Sequence, residues 1–204
     1  MKIWTKEQVR VFLDHIRDDR WGAIYSLACG TGMREGEILA LHWSEVDLKE
    51  GYLKVTQSLQ AVKNMGLVVS EPKSEKSRRM LVLPAFVVDA LKRHKSKQAG
   101  LKKSDKWHEE GLVFTTHNGT PISPRNLVRH FKKKAEEAGL PEIRFHDLRH
   151  TAASLLLEKN VHPKVVQEML GHSQITLTLD TYSHVIPTMQ KEAARTMDDL
   201  VGQL

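Results

Sequence analysis

The stretch RFHDLRHTAASLLLEKN crowds four chemically able residues together: His146, Asp147, Arg149 and His150. Two histidines four apart with an acid between them have metal-ligand spacing, as in the H-E-x-x-H helix of zinc hydrolases. An arginine beside a histidine at a helix start suits an anion instead, because the first N–H groups of a helix lack intrahelical partners. Aspartate is one methylene shorter than glutamate and would reach a metal-bound water poorly. Arg149 would place a fixed positive charge beside the cation, and local spacing marks no third ligand. The anion is the better-supported partner of this cluster.

Two further stretches carry groups of the same kind. TGMREGEILALHW (Thr31 to Trp43) sets Arg34 at a glycine-loosened helix start, with Glu37 one turn on to orient the guanidinium. LGHSQITLTLDTYSHV (Leu170 to Val185) reads as a helix end, a turn and a new helix. Gly171 suits the residue after a helix and Ser173 the next N-cap, so His172 is held in the turn, and Tyr182 follows ten residues later.

Helices must position these groups. Thr5 can cap a helix to about Asp18, with Val9, Phe12, Leu13 and Ile16 at helical spacing. A second covers about Trp21 to Cys29, ended near Gly30 and Gly32, and a third starts near Arg34. GYLKVTQSL, GLVVSEP and RRMLVLP then predict three antiparallel strands. Helices resume at about Ala85 to Lys97, Pro124 to Ala138, Leu148 to Glu158, Pro163 to Leu170, Gln174 to Thr181 and Thr188 to Val201. Gly100 to Lys106 reads as a mobile basic loop. In the Leu148 helix, Leu148, Ala152, Leu155 and Leu156 form the core-facing stripe. Arg149 falls at its edge, His150 nearly opposite, and Asp147 at the N-cap. The fold class is mainly α with a small three-stranded antiparallel sheet, in one domain spanning residues 1–204.

Bulk properties bound the function. The 204 residues carry a net charge of +6. The excess is uneven: LKRHKSKQAGLKKSDK, KSEKSRR and FKKK are basic, which is either a solvated face or the footprint of a nucleic-acid binder. The start MKIWTKEQVR turns polar at once, and no apolar run approaches the roughly 20 residues of a membrane span. Cys29 is the only cysteine, which excludes an intrachain disulfide and fits a reducing cytoplasm.

Taken in order, these stretches resemble the catalytic domain of the tyrosine recombinases, the phage and transposon integrases. TGMREGEILALHW is similar to the first arginine box of that family. EPKSEKSRRMLVLP is similar to its β-hairpin lysine segment. FHDLRHTAASLLL and LGHSQITLTLDTYSHV are similar to the second box, with H-x-x-R, the later histidine and the nucleophilic tyrosine. VFTTHNGTPISPRNLVRHFKKKAEEAGL resembles the connecting segment of integrases from Gram-positive mobile elements. The sequence departs at Ser74, where threonine is usual, and at Val82, where proline is common.

The resemblance implies a catalytic set of Arg34, Lys73, His146, Arg149, His172 and Tyr182, supported by Glu37 and Asp147, with Lys76 a rival for the lysine role. It implies cleavage and rejoining of duplex DNA attachment sites through a 3′-phosphotyrosine, with no cofactor, metal or ATP. It also implies a bacterial or phage-encoded cytoplasmic protein, tetrameric on DNA. The family's core-binding and arm-binding domains are expected to be missing from this chain, as in a truncated form. The helix at about 188–201 is expected to dock on its own core or on a neighbouring protomer. A type IB topoisomerase, or a non-catalytic helix-turn-helix regulator, stands as the alternative.

Overall fold

The computed structural model describes residues 2–71, 78–176, 178 and 186–202. The elements run α1 (Lys6–His15), α2 (Gly22–Thr31), α3 (Glu35–Leu39), β1 (Val46–Asp47), β2 (Tyr52–Val55), β3 (Ser58–Val62), β4 (Gly66–Ser70), β5 (Arg79–Val82), α4 (Ala85–Leu101), α5 (Pro124–Glu137), α6 (Asp147–Glu158), α7 (Pro163–Leu170) and α8 (Ile186–Val201). The chain is mainly helical with small antiparallel sheets, as its patterning predicts.

Thr5 caps α1 reciprocally with Gln8. The Gln8 N–H donates to Thr5 Oγ1 at 3.3 Å and the Thr5 N–H to Gln8 Oε1 at 2.9 Å. The helix buries Phe12 in an aromatic cluster with Trp4, Tyr25, Phe131 and Phe145, whose neighbouring rings lie 4.9–6.2 Å apart. At the centre is α2, with Ala23, Ile24, Tyr25, Leu27 and Ala28 buried all round the helix. A helix apolar on every side must be enclosed, and α2 packs on both α4 and α6.

The strands differ from expectation. GYLKVTQSL is not one strand: Thr56 and Gln57 divide it into β2 and β3. One sheet has the order β1-β2-β5, with Leu53 opposite Leu81. The other is a β3–β4 hairpin, with Leu59 opposite Val69. The period-2 pattern reported strands correctly but not their partners, because the pairing of each is set by tertiary contact. The hairpin leans on α3, where a Cβ at Gly36 would come within 2.5 Å of the Leu59 carbonyl oxygen.

Two helices also differ. α4 runs on through Gly100 to Leu101, so the basic segment begins helical. There Lys102 pairs with Glu109 and lies over the Trp107 ring, 5.8 Å from its centroid. α6 buries far more than one stripe: Leu148, Arg149, Thr151, Ala152, Ala153, Ser154 and Leu157 are all inside. It is sandwiched between α2 and α7 rather than laid on a core from one side. Half of the helix expected at Gln174–Thr181 falls outside the described residues; within the rest, Ile175, Thr176 and Thr178 are helical. Among the described residues no helix is long and apolar enough to cross a membrane.

Candidate active site

Helix ends deliver the functional groups. α2 stops at Gly32, in the left-handed region at φ 64°, and Arg34 then caps α3. Glu37, one turn into α3, folds back on it. The Arg34 N–H donates to Glu37 Oε2 at 2.9 Å, and its Nη1 donates to Oε1 at 2.9 Å. Glu37 is 5% exposed, whereas the Arg34 side chain is 40% exposed. The carboxylate is therefore the fixed partner and the guanidinium the accessible one. Burial pushes the Glu37 pKa up, but hydrogen bonds and charge from Arg79 and Arg34 win, and it lies below the usual range.

Arg149, on α6, is 3% exposed. Its Nη1 donates to the Gly32 carbonyl at 2.7 Å. The packing of α6 on α2 thus brings Arg149 to the segment that leads into Arg34. His146 is the N-cap residue of α6, and Asp147 is its first helical residue, not the cap. The Asp147 carboxylate turns backward instead. It accepts the Arg144 N–H at 2.8 Å, and Nε and Nη2 of Arg144 at 3.1 and 2.8 Å. Burial raises its pKa, but those bonds hold it below the usual range. Asp147 secures the loop before His146 and is not aimed at a ligand. The His146 and His150 rings meet edge to face, with centroids 5.0 Å apart.

His172 follows Gly171, which ends α7 in the left-handed region at φ 68°. The turn is doubly tied: the His172 N–H donates to the Gln167 carbonyl at 3.1 Å, and Gln167 Nε2 donates to the His172 carbonyl at 2.9 Å. His172 Nδ1 and Thr178 Oγ1 are hydrogen-bonded at 2.9 Å. Burial first, then the positive charges of Arg149 and Arg34, push the His172 pKa down to about 4. Burial and Arg149 likewise lower that of His146. Both imidazoles are therefore neutral at pH 7, and both sense the same two guanidiniums. Arg34 Nη2 also donates to the Gly171 carbonyl, at 3.4 Å.

So Arg34, Glu37, His146, Arg149 and His172 share one neighbourhood. Lys73 and Tyr182, and with them Ser74 and Lys76, lie outside the described residues. Among the described residues no group of three His, Cys, Asp or Glu side chains could hold a metal ion. Of the basic stretches, FKKK is internally balanced. Lys132 pairs with Glu142 at 2.7 Å, Lys133 with Glu137 at 3.7 Å, and Lys134 with Asp19 and Glu137 at 3.3 and 2.9 Å. That stretch is a solvated, ion-paired face.

Sequence reasoning passed over one member. Arg79 begins β5 and forks onto Glu37, with Nη1 to Oε1 at 3.1 Å and Nη2 to Oε2 at 2.8 Å. The available signal was strand alternation: Arg79 shares a face with the buried Leu81, which asks for a buried acid opposite. Beside it, β5 and α7 border a cleft of about 590 Å³ lined by Met80, Val82, Lys164, Val165 and His172 among others.

Comparison with known proteins bears on the family and the fold. The chain is 33% identical to a XerC-like tyrosine recombinase of Caldanaerobacter subterraneus over 98% of its length and 54% of the relative's. It is 30% identical to the ICEBs1 integrase of Bacillus subtilis, over 98% of the chain and 55% of that protein. It thus spans about half the length of the curated relatives it matches. In fold it is similar to the Tn1549 transposon integrase solved with transposon right end DNA (TM-score 0.80, 23% identity, 96% of this chain and 66% of that one). It is similar also to XerA recombinase (TM-score 0.74, 21% identity, 95% and 65%). Residues 2–189 match the phage integrase family, and this chain belongs to that family.

Proposed function

We propose that the chain is the catalytic domain of a site-specific DNA recombinase that cleaves and rejoins strands through a 3′-phosphotyrosine. The observation that carries this is the convergence of Arg34 and Arg149 with two neutral imidazoles. A phosphodiester repels nucleophiles and gains charge on its non-bridging oxygens in the transition state, so preorganised cationic donors are what its cleavage needs. Guanidiniums fork onto such oxygens and stay charged at any working pH.

Tyr182 is the proposed nucleophile. An ordinary phenol has a pKa of about 10 and needs a proton acceptor at neutral pH. His146 is neutral and therefore able to serve. The Tyr182 oxygen attacks phosphorus, the P–O5′ bond breaks, the phenol proton passes to His146, and Lys73 protonates the departing 5′ oxygen. His172 donates to a non-bridging oxygen. The phosphotyrosine conserves the energy of the broken bond, so religation consumes no nucleotide. The arginines fill the charge-neutralising role that a divalent ion plays elsewhere.

The proposed substrate is duplex DNA carrying attachment sites, in the cytoplasm of a bacterial host, with four protomers in the active assembly. The described side chains of α8 support docking on a neighbouring protomer: Met197, Leu200 and Val201 are 59%, 73% and 48% exposed. On this reading residues 1–204 form one catalytic domain that works beside DNA-binding domains outside it.

The test is a duplex nicked near the cleavage site, incubated in EDTA and run on a denaturing gel. A covalent protein–DNA band that vanishes in Tyr182→Phe is expected. A DNA-binding protein that yields no band would refute strand transfer. Relaxation of supercoils without recombinants would point to a topoisomerase instead.

A further inference from the structure

Arg79 reaches three segments at once. It begins β5, on the strand that follows the lysine segment. Two of its nitrogens fork onto Glu37, and its Nε donates to the Met169 carbonyl at 2.7 Å, in the last turn of α7. Its side chain is 7% exposed against 5% for Glu37. It also fills the space under Gly171, where an added Cβ would lie 2.9 Å from Arg79 Nη1 and 3.1 Å from Cζ. Glu37 uses its remaining capacity on Arg34, and Arg34 donates to the Gly171 carbonyl.

We propose that Arg79 is a positioning residue: through the shared Glu37 carboxylate and the α7 terminus it sets the aim of Arg34 and the seat of His172 against the start of β5. This rests on the strand-transfer reading above. The role requires a guanidinium. Its planar fork satisfies both carboxylate oxygens while a third N–H takes the carbonyl, and a lysine ammonium has no such fixed geometry. If the fork is lost, Arg34 alone holds a buried carboxylate and is drawn toward it, away from a bound phosphate. A misplacement of an ångström at a reacting centre slows chemistry far more than it weakens substrate binding.

The experiment measures single-turnover formation of the Tyr182 adduct on the nicked duplex, duplex affinity by fluorescence anisotropy, and the melting midpoint. It compares wild type, Arg79→Lys, Glu37→Gln and the double variant. Arg79→Lys should slow adduct formation about 30-fold with affinity within about threefold of wild type. The double variant should be no slower than the worse single by more than about threefold, since both act through one contact. Should the lysine variant melt below the assay temperature, Arg79→Met with Glu37→Leu removes both buried charges and restores the fold. The rate should then stay low while the midpoint recovers. A rate that recovers with the midpoint, single effects that multiply, or a lysine variant as fast as wild type would overturn the proposal. If wild type forms no Tyr182-dependent adduct, the strand-transfer reading fails as well. If it does and Arg79→Lys matches it, this inference alone fails.

Discussion

The two arginines of the site are held by opposite means. Arg34 stands at an open helix end, 40% exposed, steered by a buried carboxylate. Arg149 is 3% exposed, inside the packing of α6, with a main-chain carbonyl as its anchor. The first is a solvent-accessible cation on a fixed partner. The second is itself a piece of the core. The same residue type, facing the same neighbourhood, can thus be a detail of chemistry or a detail of folding.

The largest effect that would test this contrast is Arg149→Ala. We expect adduct formation to fall by about 10³-fold. Stability should fall by about 3 kcal/mol, because a buried guanidinium and its partner are uncoupled. Urea denaturation measures the second loss. Arg34→Ala should slow the adduct by about 10²-fold. Its stability loss should stay under about 1 kcal/mol, since an exposed charge contributes little and Arg79 still holds Glu37. Equal stability losses for the two would erase the distinction.

Acid sharpens it further. The His172 pKa in the folded chain is about 4 against an ordinary 6.5. The unfolded chain therefore binds more protons between those values, and stability rises with pH across that window. A thermal midpoint followed from pH 4 to 7 should climb, and His172→Gln should flatten the climb. An oxyanion such as sulfate, by offsetting Arg34 and Arg149, should raise the His172 pKa, which an NMR titration reads. The smallest effect belongs to α8. Deleting residues after Pro187 should leave cleavage of a nicked duplex nearly unchanged and impair pairing of two sites, as scored by gel shift. Equal loss in both would place α8 in its own protomer.

The site was more legible in the sequence than the sheet. Arg34 with Glu37, and His146 with Arg149, are read from spacing within single helices, where 3.6-residue geometry fixes who meets whom. Gly171 and Ser173 framed His172 for the same local reason. The strands were recognised but wrongly assembled, because a hairpin and a three-stranded sheet share one alternating pattern. Asp147 was misplaced by one residue, enough to turn its carboxylate from the helix N–H groups to Arg144. Arg79 stayed hidden because its partner Glu37 is 42 residues earlier, across an interface that no local pattern encodes.

The carbonyl that grips Arg149 belongs to Gly32, only two positions ahead of Arg34. Both cations therefore take their bearings from one short length of main chain rather than from separate scaffolds. Any displacement of that length would therefore move the two cations as a pair rather than separately.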